Sequence, residues 1–285
     1  MKRLTVVFPG IGYTAEKPLL YYSRRIAEHF GYESLIIPYT GFPKKVKGDR
    51  DKIKKSCQIA LTQAKEILDG IDLVAYEDIL FIGKSIGTVA AANIASQSPL
   101  RNRIRLILYT PLVDTFAVSV KDAIAFTGSA DPWVCKEENR IPVLCNQFGI
   151  ACTVIEGANH SLETSDPRTD IRNLQKIMDR TTAFIREIQI QRITYYETLL
   201  QELEAEISKP GVQAGEPVLC GKAEKLAQYY ESEDWKLDYA DDEAGQLPKN
   251  LKRGVLSEDA VYNVLEAFRD LQKENRKTEI LRQIF

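Results

Sequence analysis

The segment Ile79–Ala91 reads ILFIGKSIGTVAA and sets Ser85 between two glycines, at the end of an apolar run and the start of a small-residue run. A serine hydroxyl is a weak nucleophile unless it is held beside a base. A strand entering a helix through G-x-S-x-G would supply such a hold, presenting Ser85 on a sharp turn at the cost of a strained backbone. Gly83 and Gly87 are then required because side chains there would clash where strand and helix approach. The amide of Ile86, at the helix N-terminus, would face a developing oxyanion. Chance alone yields G-x-S-x-G in a chain of this length about once in ten, so the pattern takes its meaning from its strand-to-helix setting. Gly83-Lys84-Ser85 also imitates the end of a phosphate-binding loop. That motif needs a glycine five residues before Gly83, where Asp78 stands, so nucleotide binding is excluded.

In folds that carry a serine on such a turn, the acid and then the histidine follow it in the chain. Only one histidine lies beyond Ser85, His160 in VIEGANHSLE, directly after a predicted strand. Asp131, in AFTGSADPWV, follows another predicted strand. It is the expected acid, although Pro132 also makes it a candidate helix N-cap. Asp114, in YTPLVDT, is the alternative; Glu156 and Glu163 lie too near His160 in sequence to reach around it. The loop FPGIGYT after the first strand is expected to give the second oxyanion donor, the amide of Ile11, with Gly10 and Gly12 supporting the turn. His160 would take the Ser85 proton while Asp131 orients the imidazole.

The elements that must position these groups are legible as an alternation. Strands are expected at Leu4–Phe8, Ser34–Pro38, Ile79–Gly83, Ile104–Tyr109, Ala123–Thr127 and Cys152–Ile155. Helices are expected near 16–30, 50–69, 86–98, 132–147 and 168–188. Continuous apolar strands separated by helices predict a parallel sheet covered on both faces. Residues 39–50 are rich in Gly, Pro and Lys and read as a surface loop. Beyond residue 190 the β pattern stops. Ile193, Tyr196, Leu200, Leu203 and Ile207 recur at helical spacing until Pro210-Gly211. A second helix is expected at 218–235 and a third after Ser257, with Val261, Val264, Leu265, Phe268 and Leu271 on its apolar face. Tyr229, Tyr230, Trp235 and Tyr239 are expected to pack inside this tail, a binding face rich in Tyr, Trp, Asp and Glu being the alternative, and Gly254 to supply an unusual backbone angle before the last helix. The expected domains are therefore 1–190 and 191–285.

Of 285 residues, 44% are hydrophobic and 27% charged, with a formal net charge of -2. That balance gives bulk electrostatics no reason to hold nucleic acid or an anionic membrane. No run approaches the ~18 apolar residues of a membrane span, and the apolar stretch after Arg3 is too short for a secretion signal. Five cysteines, an odd number without a CxxC, and two histidines argue against a disulfide framework and against a zinc site. A cytoplasmic protein with reduced thiols, no cofactor and no metal is the expectation. The C-terminal helices leave open pairing with a second copy.

On GKSIG, GSADPW and GANHSLE, in that order, residues 1–188 resemble the α/β-hydrolase superfamily. The resemblance implies a three-layer sandwich around a mostly parallel six-stranded sheet, without the two antiparallel strands that open larger members. It also implies little room for a lid between Ile107 and Ala123. Compact members are similar to small carboxylesterases, thioesterases and dienelactone-hydrolase-like enzymes, which implies a small acyl ester or thioester as substrate. The oxyanion loop lacks the His-Gly-Gly run of many esterases. Acyl transfer on the same three residues, and a non-catalytic scaffold presenting the tail, are the alternatives. The stretch YYESEDWKLDYADDEAGQLPKNLKRGVLSEDAVYNVL resembles a small helical bacterial domain family of unknown function, which implies no activity.

Overall fold

In a computed structural model, residues 2–133 and 140–284 are described, except for the side chains of 278, 279 and 281–284. The chain divides into two compact units, Met1–Ile185 and Arg186–Phe285.

The first unit is built on six strands: β1 (Arg3–Phe8), β2 (Tyr32–Ile36), β3 (Asp78–Lys84), β4 (Ile104–Tyr109), β5 (Ala123–Gly128) and β6 (Ala151–Ile155). Their order is β2-β1-β3-β4-β5-β6 and every pairing is parallel, so β3 sits at the centre beside β1 and β4. The strand alternation sends Leu4, Val6, Phe8, Ile79, Phe81, Leu106 and Leu108 into one core and Val7, Leu80, Ile82, Ile107 and Tyr109 into another. The first core is closed by α2 (Arg50–Leu68), α3 (Ile86–Gln97) and α4 (Arg140–Gln147), the second by α1 (Pro18–His29) and the first half of α5 (Pro167–Ile207). This is the expected three-layer α/β arrangement. The strand β2 lies two residues earlier than Ser34–Pro38, because Tyr32 and Glu33 pair with Arg3 and Leu4 while Ile37 leaves the register. The part of the helix expected at 132–147 that falls on 134–139 lies outside the described residues.

The approach of α3 to β1 fixes the centre of this unit. A Cβ on Gly87 would lie 2.0 Å from the Phe8 carbonyl oxygen, and one on Gly83 would lie 2.9 Å from the Thr88 Cα. Neither neighbour is a side chain that can turn away, so both glycines are required by space.

In the second unit, the second half of α5 packs with α6 (Pro217–Tyr230), α7 (Glu233–Glu243) and α8 (Glu258–Ile284). The sequence suggests a break near residue 190, yet α5 runs unbroken through both units. Residues 186–192, REIQIQR, contain neither Gly nor Pro to stop it. Conversely, the helix expected at 218–235 is two helices. Ser232 ends the first and caps the second, its Oγ accepting from the Trp235 amide at 3.2 Å. Gly254 has no left-handed backbone; a side chain there would instead press on the Glu197 carboxylate, 3.3 Å from the Cβ position. That carboxylate accepts from the Val255 amide at 2.7 Å, so the glycine serves a close approach.

Alongside the apolar core of this unit runs a buried polar chain. Arg192 donates to both oxygens of the fully buried Asp238, which also accepts from Tyr229 Oη at 2.7 Å and from Gln189 Nε2 at 3.0 Å. The carboxylates of Asp238 and Asp234 hold the Arg192 guanidinium charged, above its usual range, against the cost of burial.

Two outcomes are expected in denaturant unfolding of the full chain. Gly87→Ala loses about 3 kcal/mol, since the methyl must displace main chain. Arg192→Leu lowers the stability of the helical unit by about 3 kcal/mol, because Asp238 is left buried without its cationic partner. Wild-type midpoints for either would contradict the packing described.

Candidate active site

Ser85 follows β3 directly and caps α3 with φ 56° and ψ -120°. An L-residue with positive φ is strained. The conformation is imposed from both sides: the Ser85 amide continues the β3–β4 ladder by donating to the Tyr109 carbonyl at 3.0 Å, and its own carbonyl accepts from the Thr88 amide at 2.9 Å and the Thr88 hydroxyl at 2.6 Å. The turn thereby aims the hydroxyl beyond the C-terminal edge of the sheet, where open parallel sheets gather ligand sites.

His160 and Asp131 come to that edge from two loops that are bonded to each other. Ser129 and Ala130 donate main-chain hydrogen bonds to Ile155 and Ala158, both at 3.0 Å, and the Gly157 amide donates to Ser129 Oγ at 2.8 Å. Gly128 admits this contact, since a Cβ there would lie 2.1 Å from the Ala158 carbonyl oxygen. Within the second loop, the Asn159 side chain accepts from the Ser161 amide at 2.7 Å and holds His160 at the tip.

These supports bring the three predicted residues into one hydrogen-bonded row. His160 Nε2 lies 2.8 Å from Ser85 Oγ and His160 Nδ1 lies 2.7 Å from Asp131 Oδ2. A carboxylate only accepts, so the neutral imidazole carries its proton on Nδ1 and leaves Nε2 to accept from the serine. Asp131 divides its oxygens. Oδ1 accepts from the Trp133 amide at 2.9 Å while Oδ2 serves His160. Asp131 is completely buried, and the Trp133 ring stacks on the imidazole with centroids 4.9 Å apart. Burial pushes the His160 pKa down and the charges of Lys84 and Lys47 push the same way, against the Asp131 hydrogen bond. The net displacement is downward, so at neutral pH the imidazole is unprotonated and able to accept.

Asp114 is exposed in a 3-10 turn at Val113–Ala117 and has no contact with His160 among the described residues. Glu156 accepts from Ser129 Oγ at 2.9 Å instead. The stretch between β4 and β5 carries only that 3-10 turn.

The loop after β1 closes into a small bridge in which Gly10 and Tyr13 exchange main-chain hydrogen bonds at 3.1 and 3.3 Å. Gly12 takes φ 68°, and a Cβ on Gly10 would lie 3.3 Å from the Ser85 Cβ. The bridge uses the Gly10 and Tyr13 amides, while the Ile11 amide has no partner among the described residues. The Ile86 amide, in the first position of α3, has no carbonyl of its own helix to reach. The Ile11 and Ile86 amides are thus both uncommitted. Lys84 was not read from the sequence as part of the site. The available signal is a lysine that closes the apolar run Ile79–Gly83.

Among the described residues no helix is long and apolar enough to cross a membrane, and no group of three or more His, Cys, Asp or Glu side chains is placed to hold a metal ion.

Residues 218–278 match the family model of a domain of unknown function, DUF4298. No curated protein matches the chain. Among solved structures, an alpha-beta serine hydrolase homologue from Coxiella burnetii is 16% identical, with 64% of this chain and 84% of that chain covered and a TM-score of 0.47. Est1E from Butyrivibrio proteoclasticus is 14% identical over 65% of this chain and 88% of that one, with a TM-score of 0.47. An esterase of Pyrococcus furiosus, Pf2001, is 14% identical over 65% and 82%, with a TM-score of 0.45. Each of these likenesses covers about two thirds of the chain, and the DUF4298 segment lies in the helical unit.

Proposed function

We propose that the first unit is a serine hydrolase that cleaves a small acyl ester or thioester through an acyl-enzyme on Ser85. The observation that carries this reading is the row from Ser85 Oγ through His160 to Asp131, at 2.8 and 2.7 Å, built on a strained turn at the sheet edge.

In this reading His160 Nε2 takes the Ser85 proton as Oγ attacks the acyl carbon. The carbonyl oxygen gains the negative charge and is met by the amides of Ile86 and Ile11, with the α3 dipole behind the first. When the tetrahedral species collapses, His160 gives its proton to the departing oxygen or sulfur. Water then loses a proton to His160, attacks the acyl group, and Ser85 recovers its hydrogen. Asp131 keeps the Nδ1 tautomer and offsets the imidazolium charge; Trp133 shields one face of the ring.

A fluorophosphonate probe read by intact mass tests the reading. Wild type is expected to take one adduct that maps to Ser85, and Ser85→Ala and His160→Ala to take none. Asp131→Asn, which favours the wrong tautomer, is expected to label about a thousandfold more slowly. A folded wild type that stays unlabelled would overturn the proposal in favour of a scaffold without catalysis.

A further inference from the structure

Lys84 immediately precedes Ser85 on β3, and its side chain is as buried as the core around it, with 1% of its surface exposed. A lysine is rarely enclosed so completely without a partner for its charge. Its Nζ donates to Thr110 Oγ1 at 2.5 Å and to the main-chain carbonyl of His160 at 2.7 Å, and it lies over the Tyr13 ring, 5.0 Å from the centroid. Each contact belongs to a different part of the site: Thr110 directly follows β4, His160 is the base, and Tyr13 closes the bridge beside Ser85. Thr110 itself has φ 43°. A β-branched residue with positive φ is a strained choice that the surroundings must impose. Here that backbone turn comes with a hydroxyl bonded to Nζ.

We propose that Lys84 is a positioning residue for the His160 base: its ammonium ties the His160 main chain to the strand that carries Ser85, and its charge keeps the imidazole neutral. The inference rests on the reading of Ser85 and His160 given above. The charged groups acting on Lys84 are Asp131 from the loop after β5, Glu163 from the loop after β6, and Lys17 from the loop after β1. Those acting on the His160 ring are Asp131, Lys84 and Lys47. Burial, with Lys17 acting alongside it, lowers the Lys84 pKa to about 7 against the pull of Asp131 and Glu163. His160 titrates below its ordinary value of 6.5. Through that range Lys84 is largely charged, so it opposes the second positive charge.

The test follows the His160 imidazole of the full chain by NMR, in wild type, Lys84→Met, Lys84→Gln and Lys84→Arg. The sequence has only two histidines, and a His29→Gln variant assigns the signals. The expected midpoint rises by about one pH unit in both neutral variants and stays low in Lys84→Arg. Fluorophosphonate labelling is expected to slow about tenfold in the neutral variants at pH values well below the wild-type midpoint, as its rising limb moves to higher pH by the same interval. Lys84→Gln keeps a donor for the His160 carbonyl and carries the test if Lys84→Met does not fold. An unchanged His160 midpoint in a folded neutral variant would overturn the proposal. So would labelling at the wild-type rate with the wild-type pH profile. A midpoint that moves in a protein taking no label in any form would support the Lys84 contact and contradict the hydrolase reading alone.

Discussion

The candidate site depends on how closely α3 passes the end of β1. At Gly87 the helix lies against the Phe8 and Pro9 carbonyls with no space for a methyl group. A helix so placed cannot continue β3 by a relaxed turn, so the residue between them takes the strained backbone, and that residue is Ser85. The same crowding brings the Gly10–Tyr13 bridge to the side of Ser85. Strain at the serine and the closeness of Gly10 to it are therefore two results of one packing contact. The rest of the unit holds this arrangement rigid, through a wholly parallel ladder on both sides of β3.

Around that fixed point the polar groups are organised by burial. Asp131 has no exposure, and both its oxygens are committed, one to Trp133 and one to His160. His160 is covered by the Trp133 ring and backed by Lys84, and each of these influences opposes protonation of the imidazole except the carboxylate. A histidine set this way is a proton acceptor at neutral pH, and the charge it gains on accepting lies beside the Asp131 carboxylate. The helical unit uses the same physics for a different end. Arg192 and Asp238 satisfy each other inside it, with Gln189 and Tyr229 completing the bonds to Asp238. Gln189, Arg192 and Glu197 all come from α5, outside the matched segment 218–278. The segment therefore takes part of its core and most of its buried polar partners from a helix that precedes it.

The first unit was legible where chemistry and periodicity are scarce and local. Ser85 announces itself by flanking glycines, and His160 by being the only histidine downstream of it. Asp131 follows a strand and was separable from Asp114 only by its position, and burial now distinguishes the two. The strand set was legible because buried parallel strands are continuous apolar runs. Lys84 was not, because its meaning lies in Thr110, Tyr13 and the His160 carbonyl, none of which is near it in sequence. In the tail, apolar spacing located the core residues Ile193, Tyr196, Leu203, Val261 and Phe268. It misplaced the helix ends: α5 continues for want of a breaker, while Ser232 divides a stretch whose periodicity runs on. Gly254 shows the limit of reading a glycine from sequence, since tight space and unusual backbone angle leave the same letter.

In the proposed reaction Ser85 becomes acylated and is then released by water. Rapid mixing with p-nitrophenyl acetate, acid quench and peptide mass mapping observe that species directly. An acetyl group on Ser85 is expected to accumulate and then decay as free acetate appears, with no such species in Ser85→Ala. Ester turnover without acetyl-Ser85 at any time, or acetylation that maps to another residue, would contradict it.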